Sequence, residues 1–508
     1  MPPRKGGPKV KTGCRTCKAR KVKCDETRPK CRRCTTSGRQ CAGYEPTPED
    51  GLSWYRPQQL TAHDQREGRA FQFFSRMVGP VLSGPMDGYF WTHLVVQFSH
   101  FEPAVRHAVL AISSLYEDFH GGARVTRQKP GNGFALRHYG AAIRRIQSAQ
   151  DEQLVLLACI LFICIEYLQG DVEAALRHCK HGIVILNRVG CSSWAREYLM
   201  PIFRRLSFAS FYLGAKPPRD AAVPGLVGFE VPIAPKFESV TGAQSAIDDL
   251  TVHMIQYVSS GNASAVDRQD IERRLQQFHT KLRDFDATIP ASESLTKITI
   301  CNMMMKSEMA RIQIDTINGT PETRFDGHTE GFRRILTLAR RASQLRETLP
   351  DERPKACFTF ENGFLPSLGF ISMKSRDLQI RLESLALMAD VTAPKEGFVD
   401  VGTLYRIGRR GAELEHGISL EDGAIERDPA AFAALSFPPE ERRFFAAPID
   451  HELDVIKGGD GSVTYRRTVS FLRRDAEGKT HVRQEYITDA IPGHMPSNVP
   501  CMRCSKPM

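Results

Sequence analysis

Residues 14–41 read CRTCKARKVKCDETRPKCRRCTTSGRQC, and six of these twenty-eight positions are cysteine. Cys14, Cys17 and Cys24 are spaced C-x2-C-x6-C, and Cys31, Cys34 and Cys41 repeat that spacing seventeen residues later. Val22 is the one sizeable aliphatic residue in the segment, too little for an ordinary hydrophobic core. Whatever folds these residues must work through the thiols.

Disulfides, a redox pair or a metal site could each use such cysteines. The basic N-terminus, MPPRKGGPKVK, leads into no apolar stretch, so a reducing, intracellular setting is expected and metal ligation becomes the better reading. Zinc takes four ligands in a tetrahedron and favours thiolates. One ion would leave two cysteines idle, whereas two ions need eight ligand positions, which six sulfurs fill if two of them bridge. The duplicated spacing points to a pseudo-twofold arrangement with one bridge in each half. Eight further cysteines are scattered; those in apolar stretches, such as Cys159, Cys164 and Cys179, read as small buried hydrophobes.

Charge is concentrated in the same place. Residues 1–44 carry fourteen Lys/Arg against Asp25 and Glu26, a balance of +12, so the rest of a chain with net charge +11 sums to −1. A local block of this kind points to a polyanion, nucleic acid before an acidic membrane surface. Arg15, Lys18 and Lys21 recur every three residues, so a short helix is expected to present them on one face, with Arg20 and Lys23 on its flanks. Such a helix need not be stable alone, because metal binding supplies folding free energy. Pro29 suits the turn between the halves.

The pattern C-x2-C-x6-C-x6-C-x2-C-x6-C, with CKARKVKCD, RPKC and CAGY around it, resembles the fungal zinc binuclear cluster (Zn2Cys6) family of transcription factors. The resemblance implies two Zn2+, one held by Cys14, Cys17, Cys24 and Cys31 and the other by Cys31, Cys34, Cys41 and Cys14, with Cys14 and Cys31 as bridges. It implies that the end of the first short helix enters the major groove of double-stranded DNA and reads a CGG triplet. Arg20 and Lys21 would then contact bases, with Lys18 and Lys23 on phosphates and Arg15 adding to the basic face. Cationic donors suit the N7 and O6 acceptors of guanine. A nucleus-located regulator of RNA polymerase II genes is the expected function, and RKGGPKVK with KARKVK is basic enough for nuclear import.

Residues 45–68 are rich in Pro, Gly and polar side chains and read as a linker. Leu52, Trp54, Tyr55 and Leu60 form no apolar heptads, and Pro46, Pro48 and Pro57 interrupt any helix, so the coiled coil common in the family is not expected. From about residue 69 the pattern turns helical. EPAVRHAVLAISSLYEDF puts Val105, Ala108, Val109, Ile112, Leu115, Tyr116 and Phe119 on one stripe, and FALRHYGAAIRRI a similar face through Leu136, Tyr139, Ile143 and Ile146. The run LVLLACILFICI is too short to span a bilayer and reads as a buried helix; no membrane partner is expected. Gly170-Asp171 breaks the helix and caps the next, giving an antiparallel hairpin that Gly190 would end. Amphipathic stretches follow near 197–214, 243–260, 266–287, 295–318, 328–348 and 376–390. The expected fold is mainly α: a basic arm over 1–13, a cluster over 14–44, a linker over 45–68, a helical regulatory body over 69–447 and an extension over 448–508. In the extension, runs separated by Gly459-Asp460-Gly461 and Asp475-Ala476-Glu477-Gly478 predict a small strand pair, and the last residues a disordered tail.

The resemblance implies that the body controls activity, through co-regulators or a small-molecule effector. Other features carry little chemistry. Cys501 and Cys504 form a lone C-x2-C and read as unpaired thiols. His178 and His181 flank Cys179, which belongs to an apolar stripe. His451-Glu452 lacks the second histidine of a metalloprotease motif, since Val455 stands there, and Met303-Met304-Met305 reads as core. No phosphate loop or nucleophile elbow occurs, so an enzyme is not expected. The main rival is a metal- or thiol-responsive sensor that uses the same cluster as a switch.

Overall fold

The computed structural model describes residues 13–27, 30–43, 65–86, 88–120, 132–188, 193–209, 233–260, 265–316, 321–349, 356–420, 437–450, 454–457 and 463–488. The chain divides into two compact units, one comprising Met1–Arg56 with Ser192–Trp194 and the other the remainder. Pro29, Gly190, His451-Glu452, Cys501, Cys504 and the expected tail lie outside the described residues.

In the first unit two short helices, α1 (Arg15–Ala19) and α2 (Arg32–Thr35), stand in place of a core of side chains. Cys14, Cys17, Cys31 and Cys34 are fully buried, with Val22, Cys24 and Cys41 packed around them. The core is sulfur, as the scarcity of apolar residues requires.

The second unit is mainly helical. It opens with α3 (Gln65–Phe73), which starts four residues ahead of the expected start of the body and runs through a π turn, Phe74–Val78, into α4 (Gly79–Leu82). A second π turn, Phe90–Leu94, leads into α5 (Val95–Ser99) and then α6 (Pro103–His120). Pro103 sits at the start of α6, where its missing N–H costs nothing. Every residue of the predicted α6 stripe is buried. In α7 (Gly133–Gln147) the inward side differs from the prediction: Phe134, Ala135 and Ala142 are buried and Leu136 is exposed. Residue 135 and its i+4 and i+7 partners at 139 and 142 define that inward line, and Leu136 lies one step around the helix from it.

Helix α8 (Glu152–Gln169) is long and apolar enough by composition to cross a membrane, yet 78% of it is buried within this unit, where it packs between α6 and α9 (Val172–Arg188). Gly170 ends α8 in the left-handed region (φ 77°), and the Asp171 carboxylate accepts from the Ala174 N–H at 3.0 Å to start α9. The predicted hairpin is thus formed at both its stop and its start signal.

Helix α10 (Met200–Ala209) is followed by α11 (Val240–Ser260), α12 (Ala265–Thr288) and α13 (Ser294–Thr316). One core joins α11, α12 and one side of α13 through Met254, Leu275, Phe278, Met303 and Ile314. A second joins the other side of α13, through Cys301, Met305 and Met309, to α14 (Thr329–Glu347), α15 (Leu365–Lys374), α16 (Leu378–Val391) and α17 (Val401–His416). The methionine run therefore serves as core on both sides of one helix.

Two sheets complete the unit. A minimal one pairs β1 (Phe358–Thr359) with β2 (Lys395–Glu396) in parallel and β2 with β3 (Val399–Asp400) in antiparallel. The second is larger than the predicted strand pair: β4 (Phe444–Ala446) and β5 (Asp454–Lys457) lie along one side of the long β6 (Val463–Arg474), and β7 (Thr480–Thr488) along the other. The β6–β7 hairpin turns at the predicted Asp475–Gly478. Ile407 of α17 shares a core with Phe444, Val469, Phe471 and Ile487, which holds this sheet against the helices.

Candidate metal centre and nucleic-acid interface

Each half of the cluster is built by the same local device. Cys14 and Cys31 are the N-caps of α1 and α2, their sulfurs accepting from the Cys17 and Cys34 N–H groups at 3.3 Å. At the other end the Lys21 N–H reaches the Lys18 carbonyl at 3.1 Å and the Val22 N–H the Cys17 carbonyl at 3.1 Å. Seventeen residues on, Gly38 bonds Thr35 at 3.1 Å and Arg39 bonds Cys34 at 3.0 Å. Both are Schellman closures, with Lys21 (φ 57°) and Gly38 (φ 65°) in the left-handed position. Lys21 therefore leaves the helix instead of extending its face: Arg15 and Lys18 belong to α1, and Lys21 is aimed by the turn that ends it.

The halves then hold each other. The Arg15 N–H donates to the Gly43 carbonyl at 2.8 Å, and Thr16 links to both Gln40 and Ala42. Asp25 accepts from the backbone N–H groups of Arg32 and Arg33 at 2.9 and 2.8 Å, capping α2 from the other half. A hydrogen bond from Thr27 and that from the Arg33 N–H hold its carboxyl well below the ordinary carboxylate range. Gly13 lies so close that a Cβ there would stand 2.9 Å from the Cys24 Cβ.

The result is a compact group of sulfurs. Cys14 Sγ lies 3.6 Å from Cys31 Sγ and 3.7 Å from Cys34 Sγ, and Cys17 Sγ lies 3.7 Å from each of Cys31 and Cys34. A zinc–sulfur bond of about 2.3 Å gives a tetrahedron with edges of about 3.8 Å, so the spacing fits. Two groups, Cys14/Cys17/Cys24/Cys31 and Cys14/Cys31/Cys34/Cys41, each lie within 4.8 Å of one another, and they share Cys14 and Cys31. Burial pushes the Cys17 thiol up to about 12 and raises Cys14 and Cys31 too. Cys41 is lowered by backbone N–H groups of Cys31 and Gly43. Crowded, buried sulfurs keep their protons unless cations offset them, and divalent ions are the fitting occupants.

Around this centre Arg15, Lys18, Lys21 and Lys23 are exposed. Arg20 is half-buried and donates from Nη1 to Ser37 Oγ at 3.3 Å. Asp25, Thr16 and Gly13 are contributors that spacing alone could not reveal, because their partners lie in the other half or across a turn. Among the described residues no group of potential metal ligands is found outside these six cysteines. His178 instead faces Tyr139 Oη at 3.4 Å, while Cys179 is buried.

Residues 12–50 match the fungal Zn(2)-Cys(6) binuclear cluster domain. The aspercryptin biosynthesis cluster-specific transcription regulator atnN of Emericella nidulans is 30% identical over 223 residues, covering 36% of this chain and 36% of that protein. Transcription regulator lscL of Purpureocillium lilacinum is 29% identical over 203 residues, covering 33% and 47% respectively. The arginine metabolism regulation protein II of Saccharomyces cerevisiae is 45% identical over 59 residues, covering 12% of this chain and 6% of that protein. The chain thus spans less than half the length of these curated relatives. No solved structure matches.

Proposed function

With residues 12–50 forming a fungal Zn(2)-Cys(6) binuclear cluster domain, which binds two zinc ions through six cysteines, we propose that the chain is a sequence-specific DNA-binding regulator of transcription by RNA polymerase II, acting in the nucleus. The observation that carries this reading is the pair of four-sulfur groups sharing Cys14 and Cys31, with basic side chains exposed around them. Cys14, Cys17, Cys24 and Cys31 would hold one ion and Cys14, Cys31, Cys34 and Cys41 the other. Bound zinc supplies folding free energy to a segment with almost no apolar core.

Lys21 and Arg20, at the turn that ends α1, would read a CGG triplet in the major groove, with Arg15, Lys18 and Lys23 on phosphates. Arg20 would give up or share its Ser37 bond to do so. The thiolates are offset by the two ions and the surrounding basic residues, so positive charge remains for DNA. The helical body would set activity through co-regulators or a small-molecule effector. The names of atnN and lscL, both transcription regulators, support the assignment.

In vitro selection of duplex DNA by the zinc-loaded chain tests it. Enrichment of CGG-containing sites is the expected result. Two zincs bound with no enriched sequence would overturn the specific-regulator reading.

A further inference from the structure

The strand β7, THVRQEYIT, is nine residues long, contains no proline or bulge, and among the described residues pairs only with β6. Natural edge strands are normally kept short or blunted, because their free N–H and C=O groups template further pairing. This one also exposes apolar side chains: Val482 is 58% and Tyr486 61% exposed.

Which backbone groups face outward follows from the ladder. The Asp475 N–H donates to the Lys479 carbonyl at 3.1 Å, making these two a hydrogen-bonded pair. In the register Arg474↔Thr480 to Arg466↔Thr488, such pairs alternate, so the odd residues of β7 bond to β6. The opposite side of β6 agrees: Ser470 donates to Pro448 at 2.9 Å, and Thr468 accepts from Asp450 at 2.8 Å. Among the described residues, the β7 backbone groups without a strand partner therefore belong to Thr480, Val482, Gln484, Tyr486 and Thr488.

We propose that β7 pairs with β7 of a second copy of this chain, antiparallel about a twofold axis at Gln484. This register sets Val482 against the partner's Tyr486, Gln484 against the partner's Gln484, and Thr480 against the partner's Thr488. All are even positions, so every free backbone group finds a partner. Arg483 then lies opposite the partner's Glu485 in a non-hydrogen-bonded pair, where side chains are closest. Shifting the axis by one residue keeps the hydrogen bonds but sets Arg483 against the partner's Arg483 or Glu485 against the partner's Glu485. The charge pattern thus favours this register over its two nearest neighbours, and shifts further along the strand shorten the paired length. Glu485 already receives Arg483 at 2.7 Å and Arg410 at 3.3 Å within its own chain, and a carboxylate has lone pairs to accept another guanidinium.

This assignment does not rest on DNA binding, and sedimentation velocity of the zinc-loaded full chain tests it apart from that function. The wild type is expected to be a dimer. Gln484→Pro should be a monomer with an unchanged melting temperature, since the lost N–H points away from β6. Arg483→Glu and Glu485→Arg should each dimerise about tenfold or more weakly, with like charges facing across the axis. Mixed together they should recover a heterodimer. One chain then carries a carboxylate at both positions and the other a guanidinium at both, so opposite charges face each other at the two symmetric sites. Glu485→Arg also loses the Arg410 pair, so its own melting temperature is measured beside the mixture. A monomeric wild type, a dimer indifferent to Gln484→Pro, or failure of the mixture to recover when both variants are folded would each overturn the proposal.

Discussion

Lys21 and Gly38 occupy the same position in two copies of one helix-ending turn, both in the left-handed region, at φ 57° and 65°. Glycine is the residue that this turn normally recruits, and lysine carries a Cβ that crowds the backbone there. The exception falls at the position that the DNA reading needs for base contact, and strained backbone tends to be kept where function requires a side chain.

Lys21→Gly should therefore separate stability from recognition. Denaturant unfolding of the zinc-loaded head is expected to show a gain of up to about 1 kcal/mol from relieved strain. Affinity for a CGG duplex, measured by fluorescence anisotropy, should fall about tenfold or more as a base contact is lost.

Removing a shared sulfur should differ from removing an unshared one. Cys31→Ala strips a ligand from both four-sulfur groups and is expected to lose both ions and the local fold. Cys24→Ala strips one group, leaving Cys14, Cys31, Cys34 and Cys41 together. Native mass spectrometry should count fewer than one zinc in the first and about one in the second.

In the body, Gly182→Ala pits helix propensity against packing. Alanine favours a helix interior by about 1 kcal/mol. A Cβ at this site, however, would overlap the ring of Phe203, which is fully buried. Overpacking of about 1–3 kcal/mol should prevail, and the melting temperature should fall.

Glu396 gives a pH dependence with a definite sign. Its carboxylate accepts from the Gly363 N–H at 2.8 Å, yet burial dominates and pushes it up from 4.5 to about 7. The contribution is fully present below pH 4.5, where folded and unfolded chains are both protonated. It is lost as pH rises through 7, because the unfolded chain ionises first. The loss amounts to about 1–3 kcal/mol by about pH 8. Glu396→Gln, which keeps an acceptor oxygen, should flatten that decline in urea titrations at about pH 5, 6.5 and 8. A variant with the wild-type slope would exclude Glu396 as its source.

Some helices were legible because their signals are local. Helix α6 has a one-sided stripe, and α8 and α9 are separated by Gly170 and Asp171, which stop one and start the other. Helix α17 is hidden from such reading because Gly402, Gly408 and Gly411 lower its intrinsic propensity. The packing explains at least Gly408, where a Cβ would meet Ser372 Oγ at 2.9 Å and Leu385 at 3.0 Å. Helix α13 reads as amphipathic but is buried on nearly all sides, because two cores share it. Its surroundings come from segments far away in the chain.

The cysteine spacing by itself pointed to a metal centre: all six thiols lie within twenty-eight residues, and tetrahedral coordination would leave few ways to arrange them. Tertiary structure alone decided that Lys21 leaves its helix, that Asp25 caps the opposite half, and that β7, among the described residues, pairs on one side only. Those outcomes depend on which backbone groups remain unpaired after distant segments meet, and no local pattern of side chains records that.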